Sequence, residues 1–385
     1  MKKIWPFSFY LLYFAGMSSL LPFLVIYYQQ LNFNGAQIGI LTGVPPLVIL
    51  FATPFWTGIA DSMQHHKLVM SVGLIVAALI GFMFPITTSF VLVFLLIVVF
   101  NFFFSPVSPL GDSATMDMLG EQRGMYGRIR LGGTIGWGVF APVAGYLVQV
   151  YGLKTAFWAF SILALINLFV ARRFSFGSAD VPTGNTGGVK VLLRSRLWIY
   201  FLAAAFLGGL GVFTATNYLY PYMKELGATE TQMGIASTIA TATEFIIFFF
   251  ADRLVRRFTS QRLFVIALVL MGVRSFLYAA SNSTYMIWTV QAFGGMVYPA
   301  MWAAAVSYAD EHAPAGLKST GQGLMGAVAF GFGSAVGGFV CGPLLENIGG
   351  RGMFFVFGIV ILAGLVLIEG IKRLFPDRQL VRSEI

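Results

Sequence analysis

A membrane span needs about 20 consecutive, mostly apolar residues. The sequence supplies twelve such stretches, at about 5–29, 36–60, 67–87, 90–112, 127–150, 154–173, 197–221, 230–251, 261–280, 284–309, 318–345 and 351–373. In hydrocarbon a segment must satisfy its own backbone polar groups, and runs of this length do so as helices. Composition agrees. The 385 residues are 58% hydrophobic and 10% charged, with a mean hydropathy of +0.82. Soluble domains carry about 25% charged residues, and a soluble globule this apolar would expose large sticky patches. The expected fold is an all-α polytopic membrane protein with twelve transmembrane helices.

An even number of spans puts both termini on one side. The net charge of +9 says which. Lys2, Lys3, Lys67, Arg123, Arg128, Arg172, Arg173, Arg194, Arg196, Arg253, Arg256, Arg257, Arg262, Lys318, Lys372 and Arg373 fall in or beside alternate loops, whereas the other loops hold only Lys154, Lys224 and Arg351. This is the positive-inside pattern, and it places both termini in the cytoplasm. Charge so distributed argues against nucleic-acid binding, which gathers basic residues on one soluble face. The start MKKIWPF runs into an apolar stretch without a small-residue cleavage site, so it reads as a retained first helix. The single Cys341 excludes an internal disulfide or a cysteine metal cluster. His65, His66 and His312 lie in predicted loops and read as solvated, so no metal or cofactor is expected.

The longest polar interval is RRFSFGSADVPTGNTGGVKVLLRSR at 172–196. It divides the chain into six spans at 1–173, a flexible cytoplasmic linker at 174–196 and six spans at 197–385. The halves echo one another. AQIGI at 36–40 matches TQMGI at 231–235, an offset of 195 that also pairs Tyr27 with Tyr222 and Leu31 with Leu226. At an offset of 197, Gly124, Gly136, Gly145, Gly152 and Phe157 fall on Gly321, Gly333, Gly342, Gly349 and Phe354. A duplicated six-helix unit, giving two pseudo-symmetric bundles, is the plan of major facilitator transporters.

Charges inside spans are costly, at least about 2.5–3.5 kcal/mol at the bilayer centre, so they pair or face a cavity. Asp112 ends the fourth span and Arg130 begins the fifth, at similar depth across a short turn. They are expected to pair, either as a strut or facing solute. Thr134 and Trp137 share the helical face of Arg130, while Gly132 and Gly136 lie opposite, suited to packing. Arginine grips hydroxyls or a carboxylate with a fork of donors, and tryptophan stacks on rings. Glu244 in the eighth span and Arg274 in the ninth form a second charged set, with Glu244 the candidate proton carrier. Asn101, Asn217, Tyr218, Gln291 and Gln322 are weaker candidates for the cavity wall. Asp61 and Asp252, at the cytoplasmic ends of helices two and eight, read as gating charges.

GRIRLGGTIGW at 127–137 resembles the start of the fifth helix of lactose permease, and Asp112 stands where that family has an acidic partner, preceded by Pro109. FNFFFSPVSPLGDSA, YGRIRL and EFIIFFFADRLVRR are more similar to the phenylpropionate permease group, a lactose-permease-like branch of the major facilitator superfamily. The resemblance implies substrate binding by Asp112, Arg130 and Trp137, and binding or proton coupling by Glu244 and Arg274. It also has departures. Helix ten, MIWTVQAFGGMVYPAMWAAAV, lacks the histidine and glutamate that lactose permease carries there. The helix two–three motif is degraded, with Thr57 and a loop DSMQHHK holding one lysine.

The expected function is a proton-coupled symporter of a bacterial inner membrane, not an enzyme. It would import a sugar, nucleoside or aromatic acid by alternating access, with solute, protons and lipid as partners and a monomer as the working unit. Substrate would bind among Asp112, Arg130, Thr134, Trp137, Asn217 and Gln291. The alternative is an efflux antiporter for amphipathic compounds, favoured by the glycine- and proline-rich GGTIGWGVFAPVAG. No Gly-x-x-x-x-Gly-Lys-[Ser/Thr] loop for ATP is present.

Overall fold

The computed structural model describes residues 3–177, 186–314 and 316–374. Regular structure among them is entirely helical. Nine helices among the described residues are long and apolar enough to cross a membrane. The last of these, Lys318–Leu374, covers the final two predicted stretches and breaks at Gly349, where φ is 68° and ψ is 173°. The predicted stretch at 230–251 is helix Glu230–Phe258. That at 284–309 is divided between Thr284–Gly294 and Val297–His312, neither of which reaches span length alone. The fourth is likewise interrupted, between Phe90–Phe104 and Val107–Leu119, where Pro106 cannot donate to the helix ladder. Large apolar side chains such as Phe51, Val91, Phe169 and Val366 are exposed around the outside, as a lipid-facing surface requires.

The internal repeat is visible in backbone conformation. Eight described residues have positive φ, and all fall into four pairs: Asn32 with Gly227, Gln64 with Thr259, Gly120 with Gly316, and Gly152 with Gly349. Each pair is offset by 195 to 197 residues. The turns therefore repeat even where the residue type does not. Helix starts repeat too. Asn34 with Gln37 and Thr229 with Gln232 both form capping boxes, which satisfy amides that a helix start leaves without partners. Tyr27 donates to the carbonyls of Phe84 and Thr87, and its counterpart Tyr222 donates to those of Tyr278 and Ser281.

Helix Gly35–Met63 packs along Lys318–Leu374, and Tyr126–Tyr151 packs along Glu230–Phe258, joining the first six predicted spans to the last six. Glycines permit this close approach. A Cβ on Gly35 would stand 2.6 Å from the Gly342 carbonyl oxygen, and one on Gly39 would stand 2.8 Å from that of Phe339. In the other seam, Cβ atoms on Gly145 and Gly234 would collide with the backbone of Glu230 and Ala141. Side-chain hydrogen bonds join the two sets of spans from the middle of the helices to the side away from the termini. Thr42 reaches Tyr218 at 2.8 Å and Gly338 at 3.1 Å, and Thr238 donates to the Gly138 carbonyl at 2.6 Å. Gly35 donates to Glu346 and Thr231 to Gln149. The halves are thus shut on the side opposite the termini.

One expectation fails on the termini side. His66 is buried, not solvated: its Nε2 lies 2.8 Å from Asp61 Oδ1 and its ring stacks on Phe176. The first residues of the linker pack onto the first six spans. Phe174 is buried against Phe9, and the Gly177 amide donates to Asp117 at 2.9 Å. The apolar residues of RRFSFG find grooves on the first six spans, which its polar neighbours conceal in sequence. Residues 186–194 are a short helix, and residues 178–185 lie outside the described ones.

Candidate functional site

Arg130 lies in the second turn of helix Tyr126–Tyr151, and Asp112 in helix Val107–Leu119, joined by the turn at Gly120–Met125. Their expected pairing is present: Arg130 Nη1 lies 2.7 Å from Asp112 Oδ1. Two phenols complete the cluster. Tyr10 donates to the same oxygen at 2.5 Å and Tyr126 at 2.9 Å. Arg130 also donates to the Tyr126 hydroxyl at 3.0 Å, and its guanidinium stands over the rings of Tyr10 and Phe14, at 5.4 and 5.9 Å.

Exposure decides what this cluster faces. The Arg130 side chain is 40% exposed and that of Asp112 35%. An ion pair with that much open surface cannot face hydrocarbon. It faces water-accessible space, and Arg130 retains donors that its partners do not use. Thr134 and Trp137, one and two turns on, are half-buried on the same face. Gly132 and Gly136 are buried on the other side, where Cβ atoms would strike the backbone of Phe7 and Leu11 of the first helix, and Gly133 is buried between, against Phe14. The helix is pressed against its neighbour there, which aims the polar stripe inward.

The second charged set is built differently. Arg274 does not pair with Glu244: no salt bridge joins them among the described residues. Its Nη2 donates to Gln291 Oε1 at 3.0 Å, its Nε to the Tyr278 hydroxyl at 2.7 Å and its Nη1 to the Gly294 carbonyl at 3.2 Å. Tyr278 in turn donates to Gln291 at 2.6 Å. Gln291 is buried and bound within this network, so it braces Arg274 and does not line open space as expected. Asn217 is half-buried and donates to the Phe213 carbonyl, a turn earlier on its own helix. Glu244 is half-buried within electrostatic reach of Arg274, and Tyr298 lies within reach of both Glu244 and Arg130.

Asp61 binds His66 as described above, while the side chain of Asp252 lies outside the described ones. Sequence reasoning missed Tyr10, Tyr126, Phe14, Tyr278 and Tyr298. Tyr126 and Tyr278 were within reach, each four residues from its arginine and so on the same helical face. Tyr10 comes from a helix 102 positions away from Asp112, and nothing local signals it.

The comparisons with known proteins agree with this architecture. The model of the MFS_1 like family matches residues 4–357. A maltose permease of Geobacillus stearothermophilus is 30% identical over 95% of this chain and 93% of its own length. A probable 3-phenylpropionic acid transporter of Escherichia coli (strain K12) is 24% identical, over 93% of this chain and 95% of its own. In structure the chain is similar to the nucleoside transporter NupG, with a TM-score of 0.79 at 18% identity over 96% of this chain and 98% of that one. The fold, the membrane-embedded pair and these matches together place the chain in the MFS_1 like family of major facilitator transporters, within the phenylpropionate permease group.

Proposed function

We propose that the chain is a proton-coupled symporter that imports a small sugar by alternating access between two six-helix bundles, residues 1–173 and 197–385. The observation that carries the reading is the half-exposed Arg130–Asp112 pair with its two phenols. A guanidinium fork and a carboxylate on one wall suit a ligand with adjacent hydroxyls, donating to some and accepting from others. Phe14 and Trp137, both half-buried, offer ring faces to the apolar side of a sugar, while the buried Tyr10 holds Asp112 from behind. The 30% identity to a protein named maltose permease supports sugars ahead of nucleosides and aromatic acids.

Closure on the side away from the termini, with the termini cytoplasmic in a bacterial inner membrane, corresponds to an inward-facing state. Glu244 is the proton carrier, because it lies in the eighth span, without an ion pair among the described residues and within reach of Arg274. Binding of a proton there would alter the field at Arg274 and Tyr298 and so bias the helices that carry them. Asp61, with His66, gates the termini side.

The test is a thermal-shift screen of purified protein against maltose-type sugars, nucleosides and aromatic acids, repeated on Arg130→Ala. A sugar should stabilise the parent and not the variant. Stabilisation of both by the same ligand would move the site away from Arg130. In vesicles, Glu244→Gln should abolish solute-driven proton uptake, and coupled uptake that survives intact would remove Glu244 from the proton path.

A further inference from the structure

Each seam between the halves ends in a side chain that reaches across it to a helix start. Glu346 Oε2 accepts the backbone N–H of Gly35 at 2.8 Å. Gly35 is the first residue of its helix, where backbone amides lack partners within the helix. Gln149 Oε1 accepts from the Thr231 hydroxyl at 2.6 Å and from its backbone N–H at 3.4 Å. Thr231 is the second residue of helix Glu230–Phe258. These are nearly the same contact made twice, one residue apart in register: Gly35 and Glu230 each open their helix, and Thr231 follows Glu230. Gln149 and Glu346 are separated by 197 residues, the offset that relates Gly145 to Gly342, and each follows its glycine by four positions.

We propose that Glu346 and Gln149 are paired clasps that hold the transporter shut on the side opposite its termini, and that Glu346 is the stronger. Three observations support this. First, both clasps cap an amide belonging to the other half, so neither bond can survive separation of the halves. Second, each sits at the end of a glycine seam in which backbones touch: Gly35, Gly39 and Gly43 against Phe339 and Gly342, and Gly145 and Gly234 against Glu230 and Ala141. Such surfaces have few rotamers to adjust and meet or part as units. Third, the clasps differ in charge. A carboxylate at a helix N-terminus is favoured by both the hydrogen bond and the helix dipole, whereas the glutamine has the hydrogen bond alone. Glu346 has no ion-pair partner among the described residues, and it is exposed. Opening therefore returns it to water and strands no buried charge.

The inference rests on the alternating-access reading but not on the identity of the solute or on protons. Hydrogen–deuterium exchange of the full chain in nanodiscs, without solute, tests it. Glu346→Ala should speed exchange several-fold at residues 35–43 and also at 229–238, in the seam that the substitution does not touch. Gln149→Ala should speed both by a smaller factor. Glu346→Gln, which keeps an acceptor oxygen and is the mildest change to the fold, should fall between the parent and Glu346→Ala. Faster exchange confined to the first turn after Gly35 would mean an ordinary helix cap, and exchange unchanged in both seams would likewise overturn the proposal. A failed sugar screen alongside coupled exchange in the two seams would overturn the substrate reading and leave the clasps standing.

Discussion

The two arginines of the membrane interior occupy opposite kinds of setting. Arg130 meets a carboxylate and two phenols and stays 40% exposed. Arg274 is held by a buried glutamine, a phenol and a backbone carbonyl, none of them charged. In the first set the pair is neutral within itself, so the surface it shows can exchange water for ligand hydroxyls without creating a net charge. In the second the guanidinium is braced by dipoles, with no ion-pair partner among the described residues and Glu244 as the nearby acidic group. On the proposed reading the difference is a division of labour: one half would present a wall for recognition, and the other would hold a positive charge beside the carboxyl group that carries the proton.

Removing Asp112 should break this comparison most severely. Asp112→Ala leaves Arg130 inside a span with phenols alone, and uptake should fall to background. Arg130→Lys keeps the charge and loses the fork. Hydrogen bonds to charged groups are worth about 1.5–3 kcal/mol each, so ligand affinity should drop by about 10–100-fold, read by titration of purified protein. Full affinity in Arg130→Lys would show that only charge matters there, and the recognition wall would lose its geometric basis.

How much of this was legible in the sequence follows from the range of each interaction. The spans were legible because each helix satisfies its own backbone and its apolarity is continuous. The Asp112–Arg130 pair was legible because one short turn forces antiparallel neighbours with matched depth. The Arg274 set was legible only as two charges on neighbouring spans, because the groups that bind Arg274, Gln291 and Tyr278, carry no charge to announce themselves. His66 was misread for a related reason. Its burial depends on Phe176, a residue more than 100 positions on in an interval whose composition looked like free linker. The repeat was legible as scattered identities, but its strongest trace, the paired positive-φ turns, is conformational and spans changes such as Gln64 to Thr259.

Gln291→Ala should have an effect of the second rank and of a different kind. It leaves Arg274 Nη2 and the Tyr278 hydroxyl without their shared acceptor. A buried group left unsatisfied costs about 1–3 kcal/mol. The loss should be seen as a lower unfolding temperature in detergent, with ligand affinity nearly unchanged. If affinity collapses while stability holds, Gln291 touches solute and the division between the two sets is wrong.

The smallest effect sharpens the comparison within the first set. Tyr126→Phe removes one of two phenolic donors to Asp112 and one acceptor for Arg130, while Tyr10 and the ion pair remain. A single net hydrogen bond is worth about 0.5–1.5 kcal/mol, so affinity should fall by about two- to tenfold with the unfolding temperature little changed. The matching change in the second set, Tyr278→Phe, should reverse that ratio, since its hydroxyl bridges Arg274 and Gln291 in the buried network. Each phenol stands four residues from its arginine, so the two substitutions delete the same group at comparable positions. Only the setting differs, and equal responses in affinity and stability would mean that the two arginines do the same job.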